Sequence, residues 1–84
     1  MTEKTRDVAS LVSQIVNELV DEPDQVEIRL IQDSDALLVE ISVGPDDVGK
    51  IIGRHGRVIK SIRTLARATA ALDGSERVDV EIVN

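Results

Sequence analysis

Gly53-Arg54-His55-Gly56 is the stretch whose residue types and spacing could do chemistry. Glycine at both ends lets the backbone turn sharply and approach another chain closely, where a Cβ would obstruct. The residues that follow, Arg57-Val58-Ile59-Lys60, can begin a helix. The loop would then present free N–H groups and the positive end of a helix dipole. Arg54 and His55 inside it, with Lys50, Arg57 and Lys60 around it, add cationic or near-cationic side chains. The chemistry on offer is the non-covalent capture of a phosphate.

Other chemistries lack their parts. Gly44-Pro45-Asp46-Asp47-Val48-Gly49-Lys50-Ile51 has the spacing of a nucleotide-binding P-loop, but Ile51 stands where a Mg²⁺-binding hydroxyl is needed. Pro45 has no N–H to offer, and Asp46 and Asp47 put negative charge where phosphates would lie. His55 is the single histidine and there is no cysteine, so neither an ordinary zinc site nor a catalytic triad can be assembled. No hydroxyl sits beside a base as a nucleophile, and Asp33, Asp35, Asp46 and Asp47 read as turn and cap residues. The chain is expected to be no enzyme and to need no cofactor.

The net charge of −6 argues at first against a nucleic-acid partner, but its distribution reverses that. Val48 to Leu72 contains no Asp or Glu and holds Lys50, Arg54, Arg57, Lys60, Arg63 and Arg67, six of the ten basic residues. A positive surface on an acidic body steers and positions a polyanion, and its local sign matters more than the total.

The elements that must hold this stretch follow from periodicity. Val8, Leu11, Val12, Ile15, Val16, Leu19 and Val20 recur at helical spacing, predicting a helix from about Thr5 to Val20 that ends before Pro23. Val26, Ile28 and Leu30, then Leu37, Val39, Ile41 and Val43, alternate with mostly polar residues and predict two strands. The turn residues Gln32-Asp33-Ser34-Asp35 between them make an antiparallel hairpin the economical arrangement. Pro45 and the two aspartates after it suit the start of a short helix, about Asp46 to Ile52, which Gly53 ends. A longer helix runs from Arg57 to Leu72, with Val58, Ile62, Leu65, Ala66, Thr69 and Leu72 on one side and Arg57, Lys60, Arg63 and Arg67 on the other. Asp73-Gly74-Ser75 stops it, and Val78, Val80 and Ile82 form a last strand. The fold class is α+β in the order α-β-β-α-α-β. The crossover between the second and third strands makes those two parallel, so the sheet is three-stranded and mixed, with three helices on one face.

Val48-Gly49-Lys50-Ile51-Ile52-Gly53-Arg54-His55-Gly56-Arg57-Val58-Ile59-Lys60-Ser61-Ile62, within that element order, resembles the signature of the bacterial type II KH domain, without gap or break. The likeness spans residues 1–84 as one KH domain with its G-x-x-G loop at 53–56, similar to small stand-alone KH proteins of bacteria. It implies binding of single-stranded RNA, with the loop clamping a backbone of about four nucleotides. It further implies dimerisation, as a homodimer or with a second KH protein, and a role such as post-transcriptional regulation or RNA chaperoning. Carried onto the matching positions, the RNA-binding residues are Lys50, Ile51, Ile52, Gly53, Arg54, His55, Gly56, Arg57, Ile59 and Lys60. An aliphatic floor of Ile51, Ile52, Val58 and Ile59 would take the bases, which suits a chain without aromatic rings. Base edges would meet strand backbone around Val39, Glu40 and Ile41, while Ile62, Leu65 and Val58 read as core.

Two other readings stand beside this one. The same shape could serve as a protein–protein adaptor, or the loop could grip single-stranded DNA. The apolar runs are too short to span a membrane and the polar start has no secretory h-region, so a cytoplasmic location is expected.

Overall fold

The computed structural model describes residues 3–34, 36–70 and 77–84. Along them run α1 (Glu3–Leu19), β1 (Glu27–Gln32), β2 (Ala36–Ser42), α2 (Val48–Ile52), α3 (Arg57–Ala70) and β3 (Arg77–Ile82). Single 3-10 turns at Pro23–Gln25, Pro45–Asp47 and Arg54–Gly56 link them. The expected turn residue Asp35, the helix end at Leu72 and the stop at Asp73-Gly74-Ser75 lie outside the described residues.

The sheet order is β1-β2-β3, with β2 in the centre. β1 pairs antiparallel with β2 (Leu30 opposite Val39), and β3 pairs parallel with it (Val80 opposite Val39). Period-2 alternation does its work most cleanly in β2, where Leu37, Val39 and Ile41 are buried while Leu38, Glu40 and Ser42 are half-buried on the open face. Beyond the last residues of β2 and β3 the Asn84 side chain imitates the ladder. Its Nδ2 donates to Val43 O at 2.6 Å, and its Oδ1 accepts the Val43 N–H at 3.0 Å.

The helices lie against one sheet face. α1 brings Val8, Val12 and Val16, spaced four apart, fully out of solvent; α3 brings Ile62, Ala66 and Ala70. Ile51 of α2 and Val78 and Val80 of β3 complete a core made of aliphatic side chains. Because those pieces are small, each must interdigitate closely for the interior to reach ordinary packing density.

The phase of α3 differs from the expected one. Leu65, expected in the core, is 49% exposed. The buried stripe is centred on Ile62 and Ala66, with Ile59 packed against it. At about 100° per residue Leu65 falls on the outer flank of that stripe. Grouping by apolar type alone drew the predicted face toward it.

Candidate nucleic-acid interface

The loop is shaped by three residues with positive φ. Gly53 (φ 75°, ψ 173°) lies in a region that only glycine occupies readily, Gly56 has φ 73°, and His55 between them is left-handed (φ 59°, ψ 23°). Gly53 is also pressed against the start of α3: a Cβ there would sit 2.9 Å from the Val58 backbone N and collide with the Val58 side chain. Gly56 has open space, its nearest neighbour being Lys60 Cε at 3.9 Å. Gly53 is therefore required by conformation and contact together, Gly56 by conformation alone.

The expectation that the loop offers free N–H groups is corrected at three positions. Gly53 N–H donates to Gly49 O at 2.8 Å, Gly56 N–H to Gly53 O at 3.1 Å, and Arg57 N–H to Arg54 O. These bonds close the ends of α2 and of the 3-10 turn, which is how a tight turn satisfies its own backbone. Side chains must then carry most of an anion's binding. Arg54, His55, Arg57 and Lys60 are all exposed, and among the described residues none of the four side chains forms an ion pair.

Lys50 is held differently. Its Nζ pairs with Asp21 and lies 3.0 Å from Asp47 Oδ1. Hydrogen bonds, first to Asp21 and then to Asp47, raise its pKa above the ordinary lysine value. Asp47 is 1% exposed and does not cap α2 with its side chain, contrary to its expected cap role. Its two oxygens instead accept the N–H groups of Asp21 and Glu22, both at 3.1 Å. The Asp21 N–H bond is the main reason its carboxyl stays below the usual range, with Lys50 and the Glu22 N–H adding to it against the opposing pull of burial. This cluster fastens the end of α1 to the start of α2, and so sets the position of the loop that α2 leads into. An acid three residues before a lysine was the sequence signal, too common to single out.

The aliphatic residues divide by burial. Ile51 is fully buried, Ile59 and Val58 are half-buried against the core, and Ile52 is 40% exposed at the edge of the loop. Ile52 and Ile59 therefore reach the surface near the loop, whereas Ile51 does not.

The strand segment expected to meet base edges is also corrected. Val39, Glu40 and Ile41 belong to the central strand and are paired on both sides, to β1 and β3. The strand edge beside α3 is that of β3, and arginines occupy it. Arg63 Nη2 donates to Val80 O at 2.9 Å and Arg67 Nε to Val78 O at 3.0 Å. Arg63 Nε lies 3.0 Å from Asp79 Oδ1, outside hydrogen-bonding geometry, and Arg67 Nη2 lies 3.6 Å from the same oxygen. Arg63 and Arg67, on the basic side of α3, are thus partly a covering for an exposed strand edge. Among the described residues no cluster of His, Cys, Asp and Glu could hold a metal ion, and no helix is long and apolar enough to cross a membrane.

A family model described as KhpA/KhpB, KH domain, matches residues 9–82. The chain belongs to this KH family. The RNA-binding protein KhpA of Caldanaerobacter subterraneus subsp. tengcongensis is 45% identical over 76 residues, covering 90% of this chain and 100% of that protein. The RNA-binding protein KhpA of Clostridium acetobutylicum is 41% identical over 73 residues, 87% of this chain and 96% of the relative. That of Borreliella burgdorferi is 43% identical over 74 residues, 88% and 89% respectively. Among solved structures, Aquifex aeolicus Era bound to GDP·AlF4− superposes with a TM-score of 0.69 at 20% identity. The match covers 99% of this chain and 33% of Era, and at that identity it shows a shared fold alone.

Proposed function

We propose that this KH protein is a non-enzymatic, single-stranded RNA-binding protein that grips the RNA backbone at Gly53–Gly56. The observation that carries the reading is the set of exposed, unpaired side chains of Arg54, His55, Arg57 and Lys60 around a glycine-hinged turn at the start of α3. Relatives named RNA-binding protein KhpA, alike over most of their length, support it. Bases lie over Ile52 and Ile59, and the protein acts in the cytoplasm as a post-transcriptional regulator or RNA chaperone. One such clamp binds weakly, so useful affinity comes from pairing with a second copy or with a KhpB-like KH protein on the same RNA. Replacing Arg54 and His55 together with Asp should abolish RNA binding while circular dichroism and melting stay nearly unchanged, because both side chains are exposed. Retained binding would sink the proposal.

A second reading, a KH-shaped protein–protein adaptor, is favoured by Leu65, a large apolar side chain left 49% exposed on α3. Crosslinking in cells followed by RNA recovery separates the two, with background-level RNA favouring the adaptor. Competition between matched single-stranded RNA and DNA decides between the nucleic acids.

A further inference from the structure

We infer that β1 is the surface through which two copies of this chain pair. They meet edge to edge and antiparallel, about a two-fold axis at Ile28, and two three-stranded sheets become one of six strands. Such a dimer supplies the second copy invoked in the RNA-binding reading, although the pairing itself does not rest on that reading.

β1 is the sheet edge opposite the one that Arg63 and Arg67 cover. Asp33 N–H donates to Ala36 O at 2.9 Å, in step with the β1–β2 register. Alternate residues of an antiparallel ladder exchange both bonds, so Glu27, Arg29 and Ile31 face β2 as Asp33 does. Ile28 and Leu30 therefore turn their N–H and C=O groups outward, and among the described residues no partner meets them. A row of open ladder groups is a template for another strand.

The sequence of this edge is complementary to itself in one register. Centred on Ile28, that residue meets the partner's Ile28, Val26 meets the partner's Leu30, and Glu27 meets the partner's Arg29. Directly opposed side chains share a face, so the apolar pairs lie on the helix side and the charge pairs on the open side. Symmetry repeats the last two pairs. Ile28 N–H reaches the partner's Ile28 O, and Leu30 N–H reaches the partner's Val26 O. Val26 precedes β1 but is extended (φ −81°, ψ 131°); its own N–H is spent on Pro23 O, leaving the carbonyl to accept. Other registers fail on charge or polarity. Centring on Glu27 or on Arg29 sets that charge against its own copy. Centring on Leu30 sets Glu27 against the partner's Asp33, and centring on Ile31 sets Leu30 against the partner's Gln32.

Both charges are available. Glu27 is exposed and has no ion pair among the described residues. Arg29 is 63% exposed, and its one contact, Glu40 Oε1 at 3.5 Å, leaves other guanidinium donors free. Space is available too. Ala9, Ser10, Ser13 and Gln14 of α1 stand with Ile28 and Leu30 around a shallow groove of about 490 Å³. The partner's Ile28 enters on this side, and the small residues of α1 let the two α1 helices approach to an ordinary spacing of about 8–10 Å. Six strands about 4.8 Å apart place the two β3 edges roughly 24 Å from each other, so both copies keep their loop and α3 uncovered.

The test is sedimentation of the full chain without RNA. Wild type should show a monomer–dimer equilibrium with a Kd of roughly 1–100 µM, as suits a small interface. Glu27→Arg alone and Arg29→Glu alone each set like charges opposite one another at both pairs, and each should weaken the dimer at least about tenfold. An equimolar mixture of the two variants restores opposite charges at both pairs and should recover a dimer, with circular dichroism checking that each variant is folded. In wild type, the Ile28 and Leu30 amides should exchange slowly in the dimer and quickly on dilution. A wild type that stays monomeric overturns the inference, as does a dimer indifferent to both substitutions or a mixture of folded variants that stays monomeric. Fast exchange at Ile28 and Leu30 within a dimer does the same, and it needs no variant, so a misfolded mutant offers no escape. None of these outcomes bears on the loop, whose RNA binding the Arg54 and His55 replacement tests separately.

Discussion

Asp47 accepts the backbone N–H of Asp21 at 3.1 Å, across 26 residues of chain, from a site that is 1% exposed. With Glu22 N–H on its other oxygen and Lys50 beside it, this carboxylate joins the end of α1 to the beginning of the helix that delivers the loop. Asp47→Asn should therefore lower the melting temperature at neutral pH. A carboxyl whose folded pKa is depressed contributes stability that is fully present above its unfolded value, about 3.9, and is lost as pH falls through the folded value. The gap between wild type and Asp47→Asn should accordingly be widest above about pH 5 and narrow in acid. Lys50, with its pKa raised, contributes fully below its unfolded value of about 10.4 and loses that stability as pH rises through its folded value. Urea melts across pH check both limbs; a gap that stays constant into acid would remove Asp47's charge from the account.

The two loop glycines should differ in what alanine costs. Gly53→Ala forces a Cβ against Val58 in a backbone region closed to other residues, so about 2–3 kcal/mol should be lost. Gly56→Ala meets open space and carries only the left-handed penalty, about 1–2 kcal/mol. Denaturant melts of the two single variants give the order directly, and the reverse order would contradict the packing at Gly53.

Salt dependence should report how many cations the clamp uses. Lys50 is already engaged by two aspartates, which leaves Arg54, Arg57 and Lys60 as the charges free to displace counterions. A log–log plot of single-stranded RNA affinity against salt should have a slope of roughly −2. Arg54→Ala should flatten it by about 0.7, while Lys50→Met should barely change the slope and should cost stability instead. A Lys50 variant that loses slope as Arg54→Ala does would show that RNA pulls the lysine away from Asp21 and Asp47.

Asn84 closes the ladder beyond β2 and β3, and its amide is matched to both polar groups of Val43. Asn84→Ala should cost about 1–2 kcal/mol by leaving that partly buried pair unmet. Asn84→Asp should do at least as badly near neutral pH, since a carboxylate oxygen then faces the Val43 carbonyl, and should recover as the carboxyl is protonated below about pH 4. Thermal melts at two pH values distinguish the variants.

The loop, the element order and the parallel crossover were legible because they are written in local chemistry. Gly53 and Gly56 mark turns, alternation marks β1, β2 and β3, and the acid-free run from Val48 to Leu72 marks the charged flank. Leu65 and Asp47 show where that legibility ends. Helical phase read from residue type misplaced Leu65, because the core face of α3 depends on where α1 and the sheet lie. Asp47 resembles any helix-start aspartate until the end of α1 is brought against it.

Sequence by itself determined which backbone can turn, which faces are apolar and where positive charge collects, since each follows from neighbours within a few residues. Only the tertiary structure decided which charges remain free. Lys50 is drawn to Asp21, 29 residues away, and Arg63 and Arg67 to the carbonyls of β3, 17 and 11 residues away, while Asp47 beside Lys50 is itself fixed by the end of α1. Arg54, His55, Arg57 and Lys60 have no such partner within reach among the described residues. A basic side chain is available to an anion only where folding has not already supplied acceptors, and that depends on distances that only the folded chain fixes.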